Sequence, residues 1–582
     1  MNEPGPGSLP DVVASTEDEG RRYREGIYEP LDESSLPDAP DGGTFPQRGH
    51  GPPFKLVRKM SRVPRLRFII GPSVIALGMG LGSGEFLLWP NLVAANGFSI
   101  WWLFWIGVVT QFVVIGEIER WTIATGESTF NGMARLDRFG FWPWLFLIAT
   151  LVSFFWPGWA SQSAEFTGQI IVVLGGPQIP WQPMALLMLA CIWFGLAVSR
   201  IVYNVLERCE IALVAGFFPL LLITLLVVGL VPSHMLELAI GAVSFGSAPA
   251  ELFTGDQFPT LILAVAYAGT GGTLLLAQSL WLRDKGFGMA RFQGRIAGIR
   301  GENEEISTTG FVFDASDRTA LGRFRGWMKV VHQELLVTFV LLTLLSVVIT
   351  CMLVATTIGT DNPAIAGDLT TMVTLQGEAI ERVGGLWLRV AFLLGGSFVI
   401  FSTQLAILDT VTRITGCIFY ERFGYRTRFF TQKRTFLLFL TIFVLAAMGI
   451  IAASWIGGEG LDVLQPDFLL LIAGPFTMTS MFLFTLVVGY MNVRRLPAEL
   501  GPPAWKRWSL LWAAVLWGWF TAEQLSRTVM SVASVDSQFT ESLALHPIRI
   551  VFYGLWLASL GWFAARTLPA AKGLTRTRSR TG

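Results

Sequence analysis

The sequence predicts an all-α integral membrane protein of about twelve transmembrane helices, ten of them forming two inverted five-helix repeats. Of its 582 residues, 52% are hydrophobic and only 15% are charged, whereas soluble domains carry about 25% charged residues. Apolar segments recur along the chain at roughly the twenty-residue length that crosses a bilayer. Two of these segments, five apart in the chain, carry glycine clusters at corresponding positions.

The predicted spans follow residues 1–54, whose Pro, Gly, Asp and Glu content is typical of a disordered cytoplasmic tail. Spans 1 to 12 are predicted at 68–95, 100–124, 142–172, 183–203, 206–231, 258–282, 332–357, 386–415, 434–455, 467–491, 506–526 and 547–567. We assign the first repeat to 55–231, the second to 258–491 with a cytoplasmic loop at 283–330, two extra spans to 506–567 and a basic cytoplasmic tail to 568–582.

The charges of the loops predict the orientation of these spans. Cytoplasmic loops of membrane proteins carry an excess of Lys and Arg. Basic residues precede span 1 and occupy the even-numbered loops, whereas the odd-numbered loops 173–182, 232–257 and 456–466 contain none. We therefore expect a multi-pass protein of the plasma (inner) membrane with both termini in the cytoplasm.

Span 1 contains the most informative stretch. Its middle carries Gly78, Gly80, Gly82 and Gly84, followed directly by Glu85. Each glycine weakens a helix by about 1 kcal/mol relative to alanine, so the cluster predicts a local break in the helix. Broken backbone at membrane depth is tolerated only inside protein or beside a wet cavity, and a carboxylate there marks a functional site by default. The alternative is a glycine-rich packing face, with the carboxylate reaching a membrane interface.

Span 6 contains a second cluster, formed by Gly269, Gly271 and Gly272 and followed by Gln278. Spans 1 and 6 enter the membrane from opposite sides. Two glycine-interrupted spans at corresponding positions of two repeats indicate an inverted-repeat secondary transporter, with its substrate site at the midplane. The alternative is a pair of close-packing glycine faces, as in a channel or a structural bundle.

Other spans carry polar side chains as well. Span 2 contains Gln111 and Glu119, and span 3 contains Gln162 and Glu165. Glu165 has no basic neighbour in its own span, so its carboxylate needs a partner on another helix, a bound cation or a proton. No P-loop, nucleophile–base pair or metal-ligand triad is spaced for catalysis. We expect no enzymatic activity, no cofactor and no nucleic-acid partner; the partners are the lipid bilayer and the transported substrate.

Several motifs resemble the Nramp divalent-metal transporters. They are Gly71-Pro72 before the first glycine cluster, Arg120 to Gly126 (Arg-Trp-Thr-Ile-Ala-Thr-Gly) after span 2, and Ala164-Glu165-x-x-Gly168 in span 3. The resemblance covers about residues 65–490. It implies a LeuT-type fold with broken helices 1 and 6, and the import of transition metals such as manganese and iron, commonly with protons.

This chain departs from the family at the metal ligands. Where the family has Asp-Pro-Gly-Asn in span 1, the residues here are Gly82 to Glu85, and the Met-Pro-His of span 6 corresponds to Leu276-Ala277-Gln278. The Asp-x-x-Glu of span 3 reads Gln162-x-x-Glu165. The thioether ligand, the histidine and half of the family's proton route are therefore absent, which indicates a divergent, Nramp-related branch.

The loss of a soft sulfur ligand removes the preference for softer transition metals. The oxygens that remain come from the Glu85 carboxylate, the Gln278 amide and the carbonyls freed at Gly82 and Gly271, and such a set suits Mg²⁺ or Mn²⁺. The predicted substrate-binding residues are Gly82, Ser83, Glu85, Gly271, Leu276 and Gln278, with Glu85 and Gln278 as metal ligands and Glu165 and Gln162 as candidates for proton coupling.

Two other functions remain open. The same fold could serve as a permease for a small organic solute, because helix N-termini at glycine breaks favour anionic groups. A non-transporting sensor that signals through the 283–330 loop has little support in the sequence.

Overall fold

The computed structural model describes residues 31, 33–40, 49–58, 60–64, 70–255, 257–296, 298–301, 307–423, 431–457, 465–471, 473–533 and 546–569. Every predicted span coincides with helix. The spans are Pro72–Gly80 continued by Leu81–Leu88 and Trp89–Asn96 (span 1), Trp101–Thr125 (2), Phe141–Phe154 with Gly158–Val173 (3), Trp181–Val198 (4), Val202–Val228 (5), Phe258–Ala266 with Gln278–Lys285 (6), Arg318–Glu334 continued by Leu335–Leu341 and Leu342–Thr357 (7), Leu386–Arg422 (8), Gln432–Gly457 (9), Gly474–Arg495 (10), Ala504–Val532 (11) and Pro547–Thr567 (12).

Shorter elements occupy the loops between the spans. The α-helices are Thr129–Ala134, Pro232–Val243, Ala250–Thr254, Leu369–Gly384 and Pro466–Leu471. The 3₁₀ turns are Glu33–Ser35, Gly97–Ile100, Gly272–Ala277, Gly288–Phe292 and Pro363–Ile365, and the strands are Lys55–Leu56 (β1) and Phe311–Val312 (β2).

Nine helical stretches among the described residues are long and apolar enough to cross a membrane. One of them, Pro72–Thr125, contains both span 1 and span 2. Span 6 is not among the nine because its helix is interrupted. Span 11 is not among them because its five tryptophans and its charges lower its hydropathy. The nine stretches together with these two spans therefore account for the twelve predicted spans.

Span 1 is helical throughout, so the predicted break at its glycine cluster is wrong. The α-helix Pro72–Gly80 passes into a π-helical turn over Leu81–Leu88 and returns to α-helix at Trp89–Asn96. No glycine of this cluster adopts a positive φ. The local irregularity is therefore a widened turn, of the kind that is frequent at functional sites.

Span 6 is interrupted, as predicted. Its first helix ends at Ala266, and the second begins at Gln278 after a short 3₁₀ turn. Gly269 has φ 101° and Gly272 has φ 63°. These values lie in the region that glycine adopts readily and that other residues rarely adopt, so the two glycines permit the break.

Span 8 packs against spans 1, 3, 5 and 9, while spans 11 and 12 pack on span 10 and on each other. A buried ion-pair group joins span 8 to span 6. The Arg413 guanidinium contacts Asp409 at 2.9 Å, one turn away in its own helix, and also pairs with Asp284 at the end of span 6. Since all three side chains are fully buried, each depends on the others for neutralisation.

Part of the N-terminal segment is ordered, whereas we predicted a disordered tail over residues 1–54. Strand β1 pairs in parallel with β2, and Phe54 is buried beneath the guanidinium of Arg135, 3.9 Å from its ring centroid. The segment is apolar enough at these positions to pack on the loops. Residues 1–30 and 41–48 of the predicted tail, and residues 570–582 of the predicted basic tail, lie outside the described residues.

The predicted 283–330 loop is shorter than expected, because its last third is the helix Arg318–Glu334 that continues into span 7. The loop also packs against the N-terminal segment. The Ser61 hydroxyl donates to the Gly288 carbonyl at 2.8 Å, and the Trp327 indole donates to the Ser61 carbonyl at 3.2 Å. These bonds connect the chain just before span 1 to the ends of spans 6 and 7.

Candidate functional site

Each glycine of the span 1 cluster lies where another span approaches closely. A Cβ atom at Gly84 would overlap the carbonyl oxygen of Tyr267, and one at Gly80 would lie 2.6 Å from the carbonyl oxygen of Gly269. The other two face spans 5 and 8 in the same way: Gly78 meets the Glu210 carboxylate, and Gly82 meets the Thr403 hydroxyl. The cluster therefore lets polar atoms of three other spans reach the helix backbone.

Glu85 lies in the π-helical turn and is fully buried. The Ser346 hydroxyl of span 7 donates to one of its carboxylate oxygens, and the Thr343 hydroxyl lies beside the same carboxyl group. Thr350 donates to the main-chain oxygen of Glu85 at 2.7 Å. Span 7 thus presents three hydroxyl groups, at intervals of one helical turn, to this part of span 1.

The break in span 6 lies against the same carboxylate. A Cβ atom built on Gly80 would lie 2.6 Å from the Gly269 carbonyl oxygen and 3.1 Å from Glu85 Oε1, so these two oxygens are near neighbours. From span 2, the Gln111 amide donates to the Ala266 carbonyl at 2.9 Å. Spans 1, 2, 6 and 7 therefore surround one small volume at the end of the first half of span 6.

This volume holds a carboxylate that has no cationic partner within the described part of the chain. The Ser346 and Thr343 hydroxyls serve the Glu85 carboxyl group, Gln111 Oε1 has no hydrogen-bond partner there, and no Lys or Arg there pairs with Glu85. Buried polar atoms are normally paired, and an uncompensated buried carboxylate is costly. A cation would satisfy both requirements, and an all-oxygen environment suits a hard one.

The ligands available are few and mostly neutral. No group of three or more His, Cys, Asp or Glu side chains is placed to hold a metal ion in the ranges described above. An ion beside Glu85 would therefore take its remaining ligands from hydroxyl, amide and carbonyl oxygens and from water. Such retained water is typical of Mg²⁺, which dehydrates reluctantly.

Gln278 does not lie beside Glu85, so the prediction that these two residues share one ion is wrong. Its amide donates to Glu119 Oε1 at 2.9 Å and to the Ser73 hydroxyl at 3.3 Å. Ser73 stands at the start of span 1, about 18 Å along the helix from Glu85 at 1.5 Å per residue. The two predicted ligands are separated because span 6 packs alongside span 1 instead of ending at Glu85.

The other predicted binding residues differ in their placement. Ser83 bonds within its own helix, to the Met79 carbonyl at 3.3 Å, and the Leu276 carbonyl accepts from Ser279 at 2.7 Å. Both groups therefore make hydrogen bonds within their own segment, and no contact in the described chain brings either of them to Glu85. Gly82 is a packing position against span 8, and Gly271 stands immediately before the 3₁₀ turn of span 6.

The span 3 candidates, Gln162 and Glu165, have other neighbours than the residues around Glu85. The Gln162 amide donates to Thr370 of the loop helix Leu369–Gly384 at 2.9 Å. Glu165 is partly exposed and lines a cavity of about 570 Å³ together with Thr374 and Arg389. Their proposed part in proton coupling stays a prediction.

Comparison with known proteins identifies the fold. No family model and no curated protein matches the chain. Among solved structures, a variant of the manganese transporter of Eremococcus coleocola is similar, with 11% sequence identity and a TM-score of 0.57, over 87% of this chain and 97% of that one. The same transporter in complex with an aromatic bis-isothiourea-substituted compound is also similar, at 11% identity and a TM-score of 0.57, over 88% of this chain and 97% of that one.

The chain has a LeuT-type transporter fold. This confirms the predicted all-α membrane architecture, with the difference that helix 1 is unbroken. At this level of identity the likeness shows the fold alone, so membership of the Nramp family stays a prediction. In LeuT-type folds, binding sites form at interrupted helices near the membrane midplane. In this chain the Glu85 carboxylate faces the break in span 6.

The sequence analysis missed the contribution of span 7. Thr343, Ser346 and Thr350 are three and four residues apart, so they share one face of the helix. All three approach Glu85 in the structure. A stripe of hydroxyl residues in an otherwise apolar span was the signal that could have identified them.

Proposed function

We propose that the protein is a secondary transporter that carries a hard divalent cation, Mg²⁺ or Mn²⁺, across the plasma membrane by alternating access. The observation that carries the proposal is the buried Glu85 carboxylate, which has no Lys or Arg partner among the described residues and faces the interrupted part of span 6. The manganese transporter that shares the fold is consistent with a divalent substrate.

The direction of the first half of span 6 favours a cation over an anionic solute. The helix Phe258–Ala266 ends at this site with its C-terminus, where the helix dipole places the equivalent of up to about half a negative charge. Together with the Glu85 carboxylate, this end compensates most of the charge of a divalent ion. An anionic solute would meet two negative groups here, which argues against the organic-solute alternative.

The oxygen ligands favour a hard ion over a soft one. The nearest thioether of span 1, Met79, contacts the Thr410 hydroxyl at 3.8 Å on the side of span 8. Carboxylate, hydroxyl and carbonyl oxygens select Mg²⁺, Mn²⁺ and similar ions. With a single carboxylate, we expect weak binding, at millimolar concentrations, and retained water in the coordination shell.

Flux into proteoliposomes tests the proposal. Purified protein should take up Mn²⁺ or Mg²⁺, and Glu85→Gln should reduce the rate at least tenfold because it removes the one carboxylate that the described residues place at the site. Glu210→Gln is the matched control, since Glu210 is equally buried beside span 1 but bonds to Ser402 at 2.7 Å, away from span 6. The Glu210→Gln variant should keep the wild-type rate of Mn²⁺ uptake.

Two results would contradict the proposal. One is the absence of divalent-cation uptake at millimolar concentrations while a small organic solute is transported or stabilises the protein, which would favour the permease. The other is uptake by Glu85→Gln at the wild-type rate, which would place the site elsewhere.

A further inference from the structure

A second group of buried oxygen atoms lies at the ends of the spans nearest the N-terminal segment. Glu119 of span 2, Gln278 of span 6, Ser73 of span 1 and Glu334 of span 7 are each at most 1% exposed. They form a chain of contacts. The Gln278 amide nitrogen lies 2.9 Å from Glu119 Oε1 and 3.3 Å from the Ser73 hydroxyl, which in turn donates to Glu334.

The two carboxylates of this group are only partly balanced by positive charge. Among the described residues, neither Glu119 nor Glu334 forms an ion pair with Lys, Arg or His. Glu117, two residues before Glu119 in the chain, shows the contrast, because it contacts Arg120 at 2.8 Å and Lys506 at 3.1 Å. The charge of Lys506 also acts on Glu119, so the three carboxylates and these two cations together keep one net negative charge.

The hydrogen-bond donors that the described residues bring to this group already have acceptors. The Gln278 amide nitrogen and the Ser73 hydroxyl serve the contacts above, and the Gly71 backbone N–H donates to Glu334 at 3.4 Å. Two acceptor atoms, Glu119 Oε2 and Gln278 Oε1, still have no partner in the described chain. Only a positively charged group would satisfy these oxygens and neutralise the carboxylates together.

We propose that Glu119, Gln278, Ser73 and Glu334 form a second binding site for the transported divalent cation. A divalent ion neutralises the remaining negative charge of the group, and the ligands are again oxygens, which suit a hard ion. The proposal rests on the function proposed above, because it takes the same ion as its ligand.

The position of this site relative to Glu85 assigns its role. The same four spans line both places: Glu85, Gln111, Gly269 and Ser346 of spans 1, 2, 6 and 7 line the first, and Ser73, Glu119, Gln278 and Glu334 of the same spans line the second. The separation of about 18 Å along span 1 allows both to be occupied independently. The second site is an intermediate binding site on the path of the ion between Glu85 and the predicted cytoplasmic side.

The stoichiometry of Mn²⁺ binding tests this inference. Electron paramagnetic resonance of free Mn²⁺, titrated with the full-length protein in nanodiscs, should report two bound ions for the wild type. The double variant Glu119→Gln/Glu334→Gln should bind one, and Glu85→Gln should bind one. Glu210→Gln should bind two, as the control for a buried carboxylate outside both sites.

A variant that gains affinity excludes misfolding as the explanation. Gln278→Glu places a third carboxylate in the second site and should tighten Mn²⁺ binding at that site about tenfold, which an unfolded protein would not do. An unchanged affinity in this variant contradicts the inference.

The outcomes separate the two proposals. A single ion that is lost only in Glu85→Gln overturns the second site and leaves the proposed function standing. A single ion that is lost only in the double variant overturns the Glu85 site instead. If the double variant binds as many ions as the wild type but loses an infrared band of protonated carboxyl groups, the group holds protons and the inference is wrong.

Discussion

Spans 1 and 6 both carry glycine clusters at membrane depth, but only span 6 is interrupted. In span 1 the glycines keep negative φ, and each one removes a side chain where a polar atom of another span approaches. In span 6, Gly269 and Gly272 adopt positive φ and allow the chain to leave the helix. The two clusters therefore serve different purposes although their sequences look alike.

The difference explains how the site is formed. Span 1 is unbroken, and its glycine face forms a groove. Carbonyl groups of the broken span 6 pack in that groove, that of Tyr267 against Gly84 and that of Gly269 against Gly80. The π-helical turn then presents Glu85 to the break. A glycine that permits close approach and a glycine that permits positive φ are both needed for one site.

The largest expected effect is at the groove. Gly84→Ala should destabilise the protein by about 3 kcal/mol, because the added methyl group meets backbone, which cannot move as a side chain can. Thermal unfolding in detergent measures the loss. Gly195→Ala in span 4 is the control: no atom lies within 4 Å of its added Cβ, so it should be neutral or stabilise by up to about 1 kcal/mol. Equal melting temperatures for the two variants would refute the groove.

The second effect concerns the break. Gly269→Ala should cost about 1–3 kcal/mol because a side chain at this φ is strained, and it would also meet the ring of Phe339. Combining it with Phe339→Leu makes space but does not change φ. The double variant should therefore remain destabilised relative to Phe339→Leu alone in the same unfolding measurement. Full recovery would mean that span 6, like span 1, needs its glycine only for packing.

The smallest effect concerns the hydroxyl groups of span 7. Ser346→Ala removes the hydrogen bond to Glu85 and should weaken Mn²⁺ binding about fivefold, equivalent to about 1 kcal/mol. Ser480→Ala in span 10 is the matched control, because that buried hydroxyl bonds only within its own helix. Calorimetric titration compares the two. If Ser480→Ala weakens binding as much as Ser346→Ala, span 7 has no special part in the site.

Composition and loop charges were sufficient to predict the spans, because a bilayer imposes length and hydropathy on any helix that crosses it. The break in span 6 also followed from the sequence, and so did the position of the buried Glu85 directly after the glycine cluster of span 1. The continuity of span 1 did not, since a glycine's φ depends on its neighbours in space. The pairing of Gln278 with Glu119, and the approach of Ser346 to Glu85, depend on how four spans pack, and no spacing within one span encodes that.

The central claim is that a divalent cation binds at the Glu85 carboxylate, in the groove between span 1 and the break in span 6. Anomalous X-ray scattering from crystals grown with Mn²⁺ tests it most directly. The account predicts a manganese peak within about 2.0–2.6 Å of a Glu85 carboxylate oxygen, beside the Gly269 carbonyl, and its absence from crystals of Glu85→Gln. Manganese peaks that lie only elsewhere, or that persist at this position in Glu85→Gln, would contradict it.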